Sequence, residues 1–314
     1  MKKKLSAVLL ALAASMPMTA QNLVKGNYGY LYCHMSDKGE WTAYAISRDG
    51  YNYQDINGGN PIFNPEEHAC IEGGTRDAYI TRMHNGKGYI MVTTDMCVRK
   101  SHKWDNYGID LLKSKDLTNW TSVTFDFRKG MPNFCDAATA TSPYKDWSAI
   151  NRVWHLRSFK TFTKLTTPKL LFDWGYATID ADINFLKSDG LYHMLIKKEG
   201  GKRGIFTATS KYLNHGWSAP VDDDFVSFEG NKLTEGSSAF QLIGDDTWRV
   251  AYIQYSDHPK HYRICKADKY LRNFSDPVDI KGVTAPQHGS FMRITKNEYK
   301  MLQKWDKELK NKAK

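Results

Sequence analysis

One pattern recurs along this chain and restricts its folds more than any other feature. An acidic residue opens a short strand, a polar turn follows, and an aromatic-led second strand returns. The copies are Asp77-Ala-Tyr-Ile with Asn85-Gly86 and Tyr89-Ile-Met-Val, Asp180-Ala-Asp-Ile with Asp189-Gly190 and Tyr192-His-Met-Leu, and Glu235-Gly-Ser-Ser with Asp245-Asp246 and Trp248-Arg-Val-Ala. Asn-Gly and Asp-Gly between alternating apolar runs are signals of tight β-hairpins.

A second element follows each hairpin: Ser114-Lys-Asp-Leu-Thr-Asn-Trp120, Ser210-Lys-Tyr-Leu to Trp217, and Ala267-Asp-Lys-Tyr-Leu-Arg-Asn-Phe274. The same pattern opens the chain at Ser47-Arg-Asp-Gly-Tyr-Asn-Tyr53 and recurs loosely at Ser158-Phe-Lys-Thr-Phe162. Five copies at intervals close to what a four-stranded sheet requires predict an all-β fold, a five-bladed β-propeller, because radial repetition buries sheet faces and protects their edges. A β-sandwich would account for many short strands but not for five recurrences of one motif. Near the end, Leu302, Trp305 and Leu309 recur at helical spacing within Asn297 to Lys310, which predicts a short C-terminal helix.

Composition fits one large domain. The chain has 314 residues, 41% apolar and 13% aromatic, enough to bury a substantial core. Residues 1–20 pair Lys2 to Lys4 with the apolar run Leu5 to Ala14 and a small-residue close at Thr19-Ala20. That is a signal peptide, too short to span a membrane, so residues 21–314 are expected as the exported domain, periplasmic or secreted, without membrane insertion and as a monomer. Five scattered cysteines with no CxxC pair exclude a zinc ribbon or a dithiol redox motif. The net charge of +10 owes much to a lysine-rich tail from Lys300 to Lys314. A solvated helix face explains that tail better than a nucleic-acid arm.

In a propeller the inner strand of each blade lines the axis, so a residue at its start points into a funnel. Three repeats put a carboxylate there, with Asp180 and Glu235 on neighbouring blades and Asp77 facing them. Opposed carboxylates roughly 6.5–9.5 Å apart suit an inverting glycosidase. One must stay protonated while another is ionised, and a third nearby helps separate them.

At these residues the sequence resembles glycoside hydrolase family 43, five-bladed propeller enzymes acting on arabinose-, xylose- and galactose-containing plant polysaccharides. The resemblance spans about Gly29 to Tyr299. It is closest to a subfamily-34-like branch, through Ser47-Arg48-Asp49-Gly50 and Asn57-Gly58-Gly59. The family's RDP strand matches Arg76-Asp77-Ala78 and implies Asp77 as general base. The ID strand matches Ile179-Asp180, which implies an acid-tuning role for Asp180. EGP matches Glu235-Gly236-Ser237 and implies Glu235 as general acid. HGS matches His288-Gly289-Ser290. In the family this histidine sits on the axis near a water-bound cation, so His288 is the metal candidate. No cofactor is implied as required, only a structural calcium near the axis.

Arg76, Trp104, Trp154, Gln254 and Tyr255 are the candidate substrate-binding residues, the tryptophans because aromatic faces suit the apolar side of a sugar ring. The partner is then an oligo- or polysaccharide, with no nucleic acid involved. The chain departs from the family where a WAPE strand should begin near Val153-Trp154. His155-Leu156-Arg157 follow instead, so one blade should be shortened or rebuilt from Phe134 to Ala149. Two readings follow: an exported inverting glycosidase, or a catalytically silent propeller that binds glycan.

Overall fold

The computed structural model of the protein describes residues 26–83, 86–129, 152–200, 204–226, 228–230 and 232–312. The expected signal peptide at residues 1–20, Asn85 of the first hairpin turn, and the Phe134 to Ala149 segment lie outside them.

Chain order gives β1 (Gly29–Ser36), β2 (Trp41–Ser47) and β3 (Tyr53–Asp55), then the single turn α1 (Pro65–His68). The second group is β4 (Arg76–Arg82), β5 (Tyr89–Thr94), the short helix α2 (Val98–Ser101), β6 (Gly108–Ser114) and β7 (Trp120–Asp126). A small ladder, β8 (Trp154–His155) with β9 (Lys169–Leu170), precedes β10 (Thr178–Leu186), β11 (Leu191–Lys198), β12 (Gly204–Ser210) and β13 (Phe225–Val226). The last group is β14 (Thr234–Gln241), β15 (Trp248–Gln254), β16 (His261–Ala267) and β17 (Val278–Asp279), followed by β18 (Pro286–Ile294) and the helix α3 (Lys296–Lys312).

These strands form four antiparallel four-stranded sheets among the described residues: β18-β1-β2-β3, β4 to β7, β10 to β13 and β14 to β17. The first sheet takes its inner strand from the end of the chain, so β18 closes the ring onto β1 from Gly29 opposite Ile294 to His34 opposite Gly289. The inner strands adjoin one another, β18 beside β4 and β14, and β14 beside β10. Among the described residues the fold is therefore a propeller of four blades rather than the five expected. Of the stretch counted as the fifth, the described residues carry only the two-residue strands β8 and β9. Its nominal corner at Ser158 to Phe162 makes a local turn, bridging Ser158 to Leu165, and the Phe162 ring lies under the Lys113 ammonium rather than in a core.

Where the corner motif does close a blade, its chemistry explains the recurrence. Ser114 Oγ accepts the amides of Asp116 and Leu117, and the Asp116 carboxylate accepts those of Thr118 and Asn119 at 2.9 and 2.8 Å. Ser47 and Asp49 repeat the arrangement on Gly50, Tyr51 and Asn52. With the turn's amides satisfied by side chains, the closing aromatics Tyr53, Trp120 and Trp217 are buried. Removing a ring of this kind costs about 3–5 kcal/mol.

The terminal helix appears as expected. Leu302 is fully buried, Trp305 and Leu309 pack on the same core cluster, and Asp306 accepts the Asn57 amide at 2.8 Å. Lys300, Lys304, Lys307, Lys310 and Lys312 lie on its exposed side, so the basic tail is a solvated face. No helix among the described residues is long and apolar enough to cross a membrane.

Candidate active site

Each acidic inner strand breaks its ladder at the same place. The pairing of β4 with β5 jumps from Arg76–Thr94 to Tyr79–Val92, that of β10 with β11 from Ile179–Lys197 to Asp182–Leu195, and that of β14 with β15 from Glu235–Ile253 to Ser238–Ala251. Two residues oppose one in every case, which is a β-bulge, a device that re-aims side chains beside functional sites. The residue entering the bulge is left-handed: Asp77 at φ 52°, Asp180 at φ 56° and Gly236 at φ 60°. Aspartate tolerates this region better than most residues but not without strain, and strain of this kind gathers where function over-determines the backbone. The bulge answers why an aspartate opens a strand. It also corrects the sequence phase by one residue, because Glu235 stands in register with Arg76 and Ile179, while Gly236 holds the place of Asp77 and Asp180.

The three carboxylates nevertheless meet, around His288 of β18. Its Nδ1 lies 3.4 Å from Asp77 Oδ1 and 4.0 Å from Asp180 Oδ1, and its Nε2 lies 3.4 Å from Glu235 Oε1. Asp180 Oδ2 also accepts the Gly236 amide at 3.2 Å, joining neighbouring blades. The acids keep 32, 21 and 22% of their side-chain surface, so they line a recess that stays partly open to solvent.

Electrostatics separates the three. Burial favours the neutral form of Asp77, yet its hydrogen bond and charge contact with His288, with Arg76 behind it, hold it below the usual aspartate value. Burial pushes Asp180 up to about 6, helped by Glu235 and Asp77 against the opposing pull of His288. Burial also opposes charge on Glu235, but the hydrogen bond and charge of His288, together with Lys197, outweigh it and hold the carboxyl at about 2. Burial would discharge His288; Asp180, Asp77 and Glu235 overcome that and raise it well above the ordinary histidine value.

The remaining candidates divide. Arg76 is buried, with Nη1 3.1 Å from Glu40 Oε1 and Nε 3.9 Å from Asp77 Oδ2. Its guanidinium lies 5.3 Å from the ring centroid of Trp104, which is 68% exposed. Tyr255 supports the Lys197 ammonium, 4.7 Å from its ring. Gln254 does not reach the recess: it is fully buried, its amide nitrogen donating to Ser256 and its oxygen accepting from Asp257. Trp154 lies on the β8–β9 ladder, partly exposed.

Sequence reasoning missed Lys197. This residue of β11 is buried and ion-paired with both Glu235 and Glu199. The available signal was a lysine in alternation phase with Leu195 on an apolar strand, a position where an unpaired charge is not tolerated.

One atom each from Asp180, Glu235 and His288 lies within 4.8 Å of the others, a spacing some cations use. A structural calcium fits this set poorly. Calcium takes six to eight oxygen ligands, whereas both nitrogens of His288 face carboxylates and the ring is held in its cationic form. The imidazolium and the Lys197 ammonium already supply the positive charge that the carboxylates require.

Comparison with known proteins gives a family match over residues 26–132 and 137–300, to the family 43-related model described as "Probable glycosyl hydrolase domain". An α-L-arabinofuranosidase of Bifidobacterium longum subsp. longum is 25% identical over 84% of this chain, which spans about a third (32%) of that relative's length. Among solved structures, an exo-β-1,3-galactanase from Clostridium thermocellum superposes with a TM-score of 0.53 at 11% identity, over 85% of this chain and 64% of the other. An α-L-arabinofuranosidase from Clostridium thermocellum gives 0.50 at 11%, over 81% and 91%. A family 43 protein from Bacillus licheniformis gives 0.52 at 12%, over 85% and 55%. At such identities these structures speak for the propeller fold.

Proposed function

The chain belongs to the family 43-related glycosyl hydrolase domains, and on that footing we propose that it is an exported inverting glycoside hydrolase that removes arabinose, xylose or galactose units from plant-type polysaccharide. The observation that carries the reading is the placement of Asp77 and Glu235 on opposite nitrogens of one imidazole, each 3.4 Å away. Two oxygens so placed are at most about 9 Å apart, an upper limit that admits the roughly 6.5–9.5 Å separation an inverting enzyme needs for its water. Asp77, ionised and open to the recess, is the general base that takes a proton from that water. Glu235 is the general acid for the departing oxygen, and Asp180 tunes it from the neighbouring blade. Arg76 with Trp104 forms the substrate-facing rim beside the base. The relative named as an arabinofuranosidase makes arabinofuranosides the first substrates to test.

A second reading, a glycan-binding propeller without turnover, is favoured by one observation. Glu235 is held ionised by Lys197 and His288, the wrong state for a general acid. Hydrolysis of nitrophenyl arabinofuranoside, xyloside and galactoside by the wild type, Asp77→Asn and Glu235→Gln separates the two. The hydrolase reading expects losses of about 10²–10⁴-fold in each variant. Turnover that persists in both, or is absent from the wild type while glycan binding remains, overturns it.

A further inference from the structure

The Lys197 ammonium is placed where a general acid would least tolerate it. It donates to Glu235 Oε2, lies 2.8 Å from Glu199 Oε1 and rests 4.7 Å from the centroid of the Tyr255 ring. Its side chain is 4% exposed and that of Glu199 10%, while Glu235 keeps 22% toward the recess. The backbone beneath is fixed on both sides, since Lys197 pairs with Ile179 on β10 and with Ile205 on β12. Only the end of the side chain is free to move, and two carboxylates stand within its reach. One of them suffices to neutralise a buried lysine, so the second contact needs another reason.

We propose that Lys197 is a positioning residue of this site, a clamp that fixes the Glu235 carboxylate against the axis in the free protein and passes to Glu199 when a glycoside enters. The proposal rests on the hydrolase reading above. Glu199 keeps the ammonium paired, so releasing Glu235 leaves no buried charge uncompensated. Released, the Glu235 carboxylate accepts a proton from solvent. That O–H bond then breaks as the proton passes to the glycosidic oxygen, whose bond to the anomeric carbon breaks with the electron pair remaining on the oxygen. Water attacks the carbon from the opposite face and yields its proton to Asp77. The charged groups facing Glu235 in this cycle are Lys197 and Glu199 from the third blade, Asp180 from β10, His288 from β18, and Asp77 across the imidazole.

The test uses the full chain with ¹³C-labelled glutamate carboxyls, the Glu235 signal being assigned by its loss in Glu235→Gln. The carboxyl is titrated in wild type, Lys197→Met and Lys197→Arg, and kcat/KM for the nitrophenyl glycosides is followed against pH. The clamp expects Lys197→Met to move the Glu235 titration up by about one pH unit or more, with the alkaline limb of the rate profile moving alike and Lys197→Arg restoring both. It also expects Glu199→Gln, which removes the second station, to lower kcat by about tenfold with little change in KM. A Glu235 titration unmoved in Lys197→Met, in a chain that hydrolyses glycosides, overturns the clamp alone. A Glu235 titration that moves in Lys197→Met while the wild type shows no turnover overturns the handover together with the hydrolase reading. If Lys197→Met does not fold, Lys197→Arg and Glu199→Gln decide it, and wild-type kcat in Glu199→Gln overturns the proposal.

Discussion

Gly236 and His288 are in contact across two blades: a Cβ on Gly236 would lie 2.4 Å from His288 Cδ2 and 2.7 Å from Nε2. The same glycine sits at φ 60°, so a side chain there meets both a strained backbone and a ring held between carboxylates. Gly236→Ala should cost about 2–3 kcal/mol, part from the left-handed backbone and part from overpacking. It should also lower kcat by at least about tenfold by displacing the ring that orients Glu235. Gly244→Ala is the control, since Gly244 is at φ 79° with nothing within 4 Å of its Cβ position. It should lose only about 1 kcal/mol and no activity. Denaturant melts and initial rates on both variants check this, and equal behaviour of the two would refute the contact argument.

Glu298 ties the terminal helix to the second blade. Its carboxylate receives Arg82 and Tyr89, and it caps α3 through the Thr295 amide at 2.7 Å, a capping box with Thr295. Burial opposes its charge, but Arg82, Tyr89 and the Thr295 amide outweigh burial and hold it at about 2. A depressed carboxyl stabilises the fold above its unfolded value and loses that contribution as pH falls through the folded one. Wild type should therefore exceed Glu298→Gln by about 3 kcal/mol at pH 7, and the gap should close between about pH 4.5 and 2. Urea melts across that range measure it; a gap constant with pH would show that the ion pairs contribute little.

Asp182, in the same strand as Asp180, has the opposite sign. It accepts the Ala239 amide at 2.8 Å and the Asn184 side chain at 2.7 Å, yet burial outweighs both and pushes it up to about 7. A raised carboxyl leaves the fold at full stability below the unfolded value and weakens it as pH rises through the folded one. Asp182→Asn keeps an oxygen for Ala239 and removes the charge. The variant should match wild type near pH 4 and exceed it by about 2–4 kcal/mol at pH 8. Parallel stability curves from pH 4 to 8 would contradict the assignment.

How much of this was legible in the sequence depended on how local the physics is. The corner motif was readable because Ser114, Asp116 and Trp120 each bond a backbone group of the same turn, no more than three residues away. Leu302, Trp305 and Leu309 disclosed their helix by spacing alone. The blade count failed because an aromatic at Phe162 after a serine resembles a corner, although among the described residues only the two-residue strands β8 and β9 flank it. Glu235 does stand on the blade next to Asp180, but in another phase than expected, since a β-bulge adds a residue without a fixed composition and here takes a glycine where the other blades take aspartate. Lys197 was passed over because a strand-end lysine ordinarily points to water, and although Glu199 stands two residues away, the partner that draws it to the site, Glu235, is on another blade.

Trp104 offers a test of the rim that leaves the acids untouched. Its ring lies over the Arg76 guanidinium, and Arg76 in turn leans on Asp77 and Glu40, so a sugar stacked on Trp104 would lie beside the base. At 68% exposure the ring contributes little to the core, and Trp104→Ala should leave Tm nearly unchanged. Aromatic contacts of this kind are worth about 0.5–1.5 kcal/mol, so KM should rise about two- to tenfold while kcat stays near wild type, the pattern of binding lost equally from ground and transition states. Trp104→Phe, which keeps a face, should recover much of the loss. A fall in kcat with KM unchanged would instead make the ring a support for Arg76 and Asp77, and the saccharide would then approach from the Tyr255 side of the recess.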